Sequence, residues 1–227
     1  MARPFVGREE SLAAWTTVLL DRYGVITRSV LGSEDSGFRF TELYRALSHL
    51  ETTGALRRGY FVEHLGGSQF AAPLAVDALR VADTARSGGG PLPGETRLLS
   101  VWDPAQPYGS TLAWPDSFSV ARPTRRAGAH VVIHRGECVC YVDHTGRSVV
   151  FAPLPRPTLD RVCTVLREAV DDGRVSPMKV SKINGMEVLA LVRSHEHPDI
   201  VDALTQAGWT LTPSGLSYRG RNSHARR

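Results

Sequence analysis

The sequence predicts an α+β protein: a winged helix-turn-helix, then a β-rich, barrel-like unit with a terminal α/β segment. Three observations carry this reading. Three helical periods followed by a hairpin pattern lie within residues 8–72. The stretch Ser87-Gly88-Gly89-Gly90-Pro91-Leu92-Pro93-Gly94 then interrupts the chain with linker chemistry. Beyond it, short strand-like runs joined by tight turns give way to amphipathic helices.

In chain order, residues 8–23 repeat apolar side chains at helical spacing (Leu12, Trp15, Leu19, Tyr23), and Gly24 terminates them. Ile26 to Leu31 reads as a short second helix. Residues 40–53 read as a third, with Leu43, Leu47 and Leu50 on one face and Gly54 at its end. Two β-like runs follow, Leu56 to Leu65 and Gln69 to Ala72, joined by Gly66-Gly67-Ser68. In a winged helix of this pattern the third helix enters a nucleic-acid groove and the hairpin touches backbone. A helix from Pro73 to Arg86 completes the domain, with Val76 and Leu79 in register.

After the linker, Arg97 to Trp102 is a strand, followed by the Pro-rich loop Asp103-Pro104-Ala105-Gln106-Pro107-Tyr108-Gly109. Ala129 to His134, Glu137 to Asp143 and Ser148 to Ala152 are further strands. A helix over 157–172 points Leu159, Val162, Leu166 and Val170 inward. Met178 to Ile183 and Met186 to Val192 read as a hairpin across Asn184-Gly185, a type I′ turn signal. A helix over 198–207 and strands from Trp209 to Thr212 and Gly215 to Arg219 end the ordered part. The expected domains are 1–86, a linker 87–95, a barrel-like domain 96–219, and a basic tail 220–227.

Composition bounds the function. With 227 residues and 42% hydrophobic content, the chain can bury a core without metals or disulfides. Its longest apolar runs, Ala129 to Ile133 and Val188 to Val192, are far too short for a membrane span. The N-terminus lacks the apolar core of a secretory signal, so a cytoplasmic location is expected. Cys138 and Cys140 share one face of a strand by simple alternation and Cys163 lies on a helix; all three are expected to be reduced and buried. No metal and no cofactor is expected, and the His195-Glu196-His197 run reads as a loop and cap.

No G-x-x-x-x-G-K-[ST] loop is present, nor a G-x-S-x-G elbow or an H-E-x-x-H helix. ATP hydrolysis by this chain alone is therefore not expected. The charge points to nucleic acid: the net charge is +4, and all but two of the 27 basic residues are arginine, whose planar fork pairs with phosphate. The candidate nucleic-acid contacts are Arg45 and His49 on the third helix, Arg57, Arg58 and Tyr60 in the wing, and Arg122, Arg125 and Arg126 before the β run. Arg135, Arg147 and the tail arginines add to them. Phe61 and Tyr108 can stack on bases, whereas Trp15, Trp102 and Trp209 are expected to fill cores. Asp103 is the candidate catalytic carboxylate: held by a Pro-constrained loop, it either polarises a water for attack at a sugar carbon or caps the turn before Pro104.

Several stretches, in order, resemble one known family. They are Leu20-Asp21-Arg22-Tyr23-Gly24-Val25-Ile26-Thr27-Arg28, Tyr44-Arg45-Ala46-Leu47, and Gly54-Ala55-Leu56-Arg57-Arg58-Gly59-Tyr60-Phe61-Val62-Glu63. Gln69-Phe70-Ala71, the Asp103 to Gly109 loop and Thr212-Pro213-Ser214-Gly215-Leu216 continue the series. Together they resemble the C-terminal region of the bacterial large helicase-related (Lhr) proteins. In that family an ATP-dependent helicase core precedes several winged helices and a β-barrel-like module similar to AlkZ-type DNA glycosylases. The resemblance implies the last winged helix and the module after it, and with them a DNA-binding role in repair. It implies DNA, single-stranded or partly duplex, as a partner, together with a helicase core or a second copy of the chain. It also leaves open an enzymatic alternative, excision of uracil or an alkylated base, and an assembly role. Residues 220–227 contain no carboxylate, so no catalytic acid is carried over to them.

Overall fold

A computed structural model describes residues 7–32, 34, 37–87 and 96–221. Apart from Ser87, the expected linker lies outside the described residues, as do 222–227 of the tail. The chain divides into two compact units, Met1–Leu92 with Ser110–Leu112 and Pro93–Gly109 with Ala113–Arg227.

The first unit runs α1 (Arg8–Tyr23), β1 (Val25–Ile26), α2 (Arg28–Gly32), α3 (Phe40–Thr52), β2 (Arg57–Gly59), β3 (Gln69–Ala71) and α4 (Pro73–Ser87). Its helix ends are those its sequence encodes. Glu9 and Glu10 sit in the first turn of α1, where the helix dipole favours negative charge, and Gly24 stops the helix with its N–H on the Leu20 carbonyl. The Thr27 hydroxyl accepts from Val30 N at 3.3 Å and caps α2. Glu42 accepts from Arg39 N at 2.9 Å at the start of α3, and Arg8 holds the same carboxylate at 2.7 Å. The inward faces meet in one core of Leu19, Ile26, Val30, Leu31, Leu43, Leu47, Leu56 and Phe70. β1, β3 and β2 form a small antiparallel sheet with β3 in the middle. This is the expected winged helix, with two departures. Ile26 lies in β1 rather than α2, and the wing strand expected to reach Leu65 stops at Gly59.

The second unit runs β4 (Thr96–Ser100), a 3₁₀ turn (Asp116–Ala121), β5 (His130–His134), β6 (Glu137–Val142), β7 (Ser148–Phe151), α5 (Arg156–Asp171), β8 (Met178–Val180), β9 (Lys182–Ile183), β10 (Met186–Glu187), α6 (Val188–Ser194), α7 (Pro198–Gln206), β11 (Thr210–Thr212) and β12 (Gly215–Tyr218). Six strands form one sheet in the order β10-β9-β7-β6-β5-β4, antiparallel except where β7 meets β9, and β11-β12-β8 form a second. The fold is α+β as expected, but the main sheet is open: its outer strands β10 and β4 do not pair, so no closed barrel forms among the described residues. One face packs against α5, α6 and α7, with Leu159, Val162, Leu166 and Val170 all buried. The other face is covered by Val101, Phe118 and Ala129, with Tyr108 and Trp114 packed against them.

Three expectations change for physical reasons. The run Met178 to Ile183 is split at Ser181, because Arg147 O takes both Ser181 N and Lys182 N and turns the chain from one sheet into the other. Val188 to Val192 is helix, not strand. β10 is an edge strand that pairs only with the two residues of β9, so a longer strand would have left its backbone unpaired, whereas a helix satisfies it internally. Lastly, Cys138 and Cys140 lie on opposite faces. Ile133 pairs with Cys138 but Val132 with Cys140, so Val139 is an extra, bulged residue that inverts the alternation.

Candidate nucleic-acid interface

On the winged helix, the residues that leave the core are the candidate contacts. Leu43 and Leu47 point inward, which turns Arg45 and His49 to solvent one helical turn apart. Tyr44 lies at the boundary, edge-on to Phe70 at 5.5 Å. On β2, Arg57 and Arg58 alternate: Arg57 pairs with Ala71 in register and Arg58 with Phe70. Both side chains are exposed, but they differ electrically. Arg58 donates to the Tyr44 hydroxyl at 3.3 Å and pairs with Glu51 at 3.2 Å. Arg57 has no ion pair among the described residues. Contacts from Ser68 first, then Arg58, hold the Tyr44 phenol below its ordinary pKa.

The wing beyond β2 is built by one side chain. Gln69 is fully buried, and its carbonyl accepts from Phe61 N and Val62 N, both at 2.8 Å. Its amide donates to Val62 O and Leu65 O, both at 2.9 Å. Those four bonds replace the ladder that a longer strand would have made, which is why the expected strand ends early. Tyr60, at the head of this loop, is 89% exposed.

In the second unit the arginines of 122–126 separate by role. Arg122 and Arg126 are exposed, and Arg122 sits in the left-handed region at φ 47 after the 3₁₀ turn. Arg125 is half-buried: its Nη1 donates to Gln106 O and Tyr108 O, each at 3.1 Å. Gln106 repeats the device of Gln69. It is buried, its amide donates to Val101 O and Tyr108 O, and its carbonyl accepts from Tyr108 N. Gly109 ends the loop at φ 76 directly over Trp114, where a Cβ would overlap the indole. The Asp103 carboxylate accepts from Ala105 N at 2.9 Å, an Asx turn across Pro104. Arg135 (φ 52) and Arg147 lie in exposed turns of the sheet.

A pocket of about 290 Å³ opens in the same unit between Gly128 and His130, Val142 to Gly146, and Arg174 to Met178. Its carboxylate is committed to a turn: Asp143 accepts from Arg147 N, Ser148 N and the Thr145 hydroxyl. Burial lowers the pKa of His130, outweighing a backbone contact with Gly128 that favours the charged ring. The His195 and His197 side chains are exposed, and no cluster of His, Cys, Asp or Glu among the described residues is placed to hold a metal.

Residues 6–90 match the winged-helix domain of the large helicase-related protein. The chain carries an Lhr winged-helix domain. Over 206 residues, 89% of its length, it is 37% identical to a Mycolicibacterium smegmatis protein named Lhr helicase/probable uracil glycosylase. Over 215 residues, 92% of its length, it is 30% identical to the Escherichia coli Lhr helicase/uracil glycosylase. The chain spans 13% of the length of each relative.

Three of the family-like stretches shape loops or turns. Gln69-Phe70-Ala71 supplies the wing clamp, a core ring and a buried strand end. The Asp103 to Gly109 loop is laced by Gln106 and closed by Gly109. In Thr212 to Leu216, Gly215 (φ 119) passes so close to the Val180 carbonyl that no Cβ fits. The residue that sequence reading misplaced is Trp102. It is 59% exposed rather than in a core, and the Arg125 guanidinium lies 5.5 Å over its ring. Alternation gave no warning: Leu98 packs into one core and Val101 into the other, and Trp102, in register with Leu98, leaves the sheet only because β4 ends at Ser100.

Proposed function

We propose that this chain is a DNA-binding module of an Lhr-type repair helicase, working in the cytoplasm and holding strands for a helicase core. The observation that carries the proposal is the electrostatic surface of an Lhr winged helix: Arg45 and His49 exposed on α3, with Arg57, Arg58 and Tyr60 exposed on the wing beside it. Arginine side chains in this pattern meet phosphate, and a ring such as Tyr60 meets base or sugar. Arg122 and Arg126 extend the basic surface of the second unit. Among the described residues, no helix is long and apolar enough to cross a membrane.

Fluorescence anisotropy with single-stranded and duplex DNA across a salt series tests it. If the wing contributes two phosphate contacts, Arg57→Ala with Arg58→Ala weakens binding and makes the salt slope shallower by about 1 to 2. An unchanged slope and affinity would remove the wing from the interface. No binding by the parent chain at low salt would sink the whole reading and turn attention to assembly, which sedimentation reads directly.

A second reading has its own observation. Both relatives carry uracil glycosylase in their names, so base excision by this chain is the enzymatic alternative, with Asp103 as its candidate acid. Asp103→Asn keeps a side-chain oxygen for the Ala105 turn, so a loss of uracil release in that variant reports chemistry rather than unfolding. Uracil release that survives the substitution would exclude Asp103 from catalysis.

A further inference from the structure

We infer that Trp102 and Arg125 form a base-stacking platform for single-stranded DNA in the second unit. This inference rests on the DNA-binding reading but uses a different site from the wing. Of the four tryptophans in the chain, Trp209 is buried, Trp15 and Trp114 are half-buried, and Trp102 alone is exposed. A single exposed apolar side chain is ordinary on a protein surface. Three features set Trp102 apart.

First, the backbone that carries the ring is held. Trp102 N donates to the Ser100 hydroxyl at 3.2 Å, Asp103 N to Ser100 O at 3.0 Å, and the adjoining loop is fixed by the buried Gln106. A ring on a fixed backbone loses less entropy when a base lands on it than a ring on a loose loop. Second, a cation is stacked on it and cannot swing away. The Arg125 guanidinium carbon lies 5.5 Å from the indole centroid, while its Nη1 is tethered to Gln106 O and Tyr108 O. A guanidinium on one face leaves 59% of the residue in water, and a base stacked on the remaining ring would complete an arginine–indole–base stack. Third, the charge of the segment suits a polyanion. Arg122 and Arg126, on the same stretch as Arg125, are both exposed.

The occupant is a base from a single strand. In a duplex the faces of the bases are already stacked on one another, so an aromatic surface ring with arginine neighbours recognises an unpaired base and its backbone together. The stacking is sequence-tolerant, because every base has a π-face.

The test uses the full chain with a labelled oligothymidylate and the same oligomer carrying abasic spacers at its centre. Trp102→Ala is expected to weaken binding of the normal oligomer by about 5- to 100-fold, the range of one stacked base. Trp102→Phe, which keeps a ring, should retain most of the affinity. The abasic oligomer should bind the parent chain weakly, and Trp102→Ala should not weaken it further. Binding should also quench the tryptophan fluorescence of the parent more than that of Trp102→Phe. Equal affinity of parent and Trp102→Ala overturns the proposal, as does equally tight binding of the abasic oligomer or no binding of DNA at all. Should Trp102→Ala lose its circular dichroism signal, the abasic comparison and Trp102→Phe still decide. The wing variant separates the two readings: binding lost there but intact in Trp102→Ala refutes the platform alone, and the reverse refutes the wing alone.

Discussion

Replacing Gln69 by alanine probes the wing at its single organising side chain. The substitution removes two acceptor and two donor bonds, at 2.8 to 2.9 Å, from a residue with no solvent exposure. A buried polar group left without a partner costs roughly 1–3 kcal/mol. Water can reach part of this loop, since Tyr60, Glu63, His64, Gly66 and Gly67 are exposed. The net cost is therefore closer to two orphaned groups than to four, about 3 kcal/mol, or roughly a hundredfold in the unfolding equilibrium of a marginally stable domain. Urea unfolding gives the magnitude, and amide hydrogen exchange gives the location: the Phe61 and Val62 amides should lose protection while those of the α3 interior keep theirs. Gln69→Glu supplies the sign. A carboxylate there still accepts from Phe61 N and Val62 N but faces the Val62 and Leu65 carbonyls without a donor, so its deficit relative to the parent should shrink as pH falls and the acid gains a proton. A loss below about 0.5 kcal/mol, with both amides still protected, would mean that the backbone alone holds the wing and would refute this account.

Other consequences can be checked singly. Gly215→Ala introduces a Cβ against the Val180 carbonyl at φ 119, and should destabilise the second unit by about 3 kcal/mol or more, read as a fall in thermal midpoint. Burial pushes the Cys138 and Cys163 thiols up to about 12 and raises Cys140 well above its ordinary value, so none should react with an aromatic disulfide reagent near neutral pH until the chain is unfolded. Burial lowers the pKa of His130 from its ordinary 6.5, so the unfolded chain takes the proton more readily. Stability should therefore be full above 6.5 and decline as pH falls below it, and His130→Gln should flatten that part of the curve. A second loss should follow below about 3.8 from Asp171. Partial burial opposes the ionised form there, but bonds from Arg221 N and the Tyr218 hydroxyl outweigh it and lower the pKa, so protonation removes that stabilisation.

Much of the architecture was legible because its signals are local. The bounds of α1, α3, α5 and α7 follow the apolar period and the residues that stop it, such as Gly24 and Gly173. The turn at Asn184-Gly185 has both residues at positive φ, as the dipeptide requires, and Asn184 additionally accepts from Phe151 N. The candidate site was legible in part. Arg45 and His49 could be read as outward because Leu43 and Leu47 were inward, whereas alternation along β2 does not foretell that Arg57 and Arg58 are both exposed. Arg125 could not be told from Arg122 and Arg126, since only folding brings the Gln106 and Tyr108 carbonyls within its reach. The wing clamp escaped for the same reason: Gln69 reads as an ordinary polar residue in a strand until the loop closes around it.

The sequence by itself determined the α+β class, the winged helix, the order of most helices and strands, and a basic, arginine-rich character. Each of these is written in periodicity, capping and composition, which act over a few residues. Tertiary structure alone decided where those periods break. The bulge at Val139 sends Cys138 and Cys140 to opposite cores, and the Arg147 carbonyl divides Met178 to Ile183 between two sheets. The want of a further strand beyond β9 and β10 turns Val188 to Ser194 into a helix, and the Asp103 to Gly109 loop puts Trp102 in water beside Arg125. Backbone groups had to find partners, across the sheet or within a helix, and the local pattern yielded because an unpaired buried hydrogen-bonding group costs more than a broken alternation.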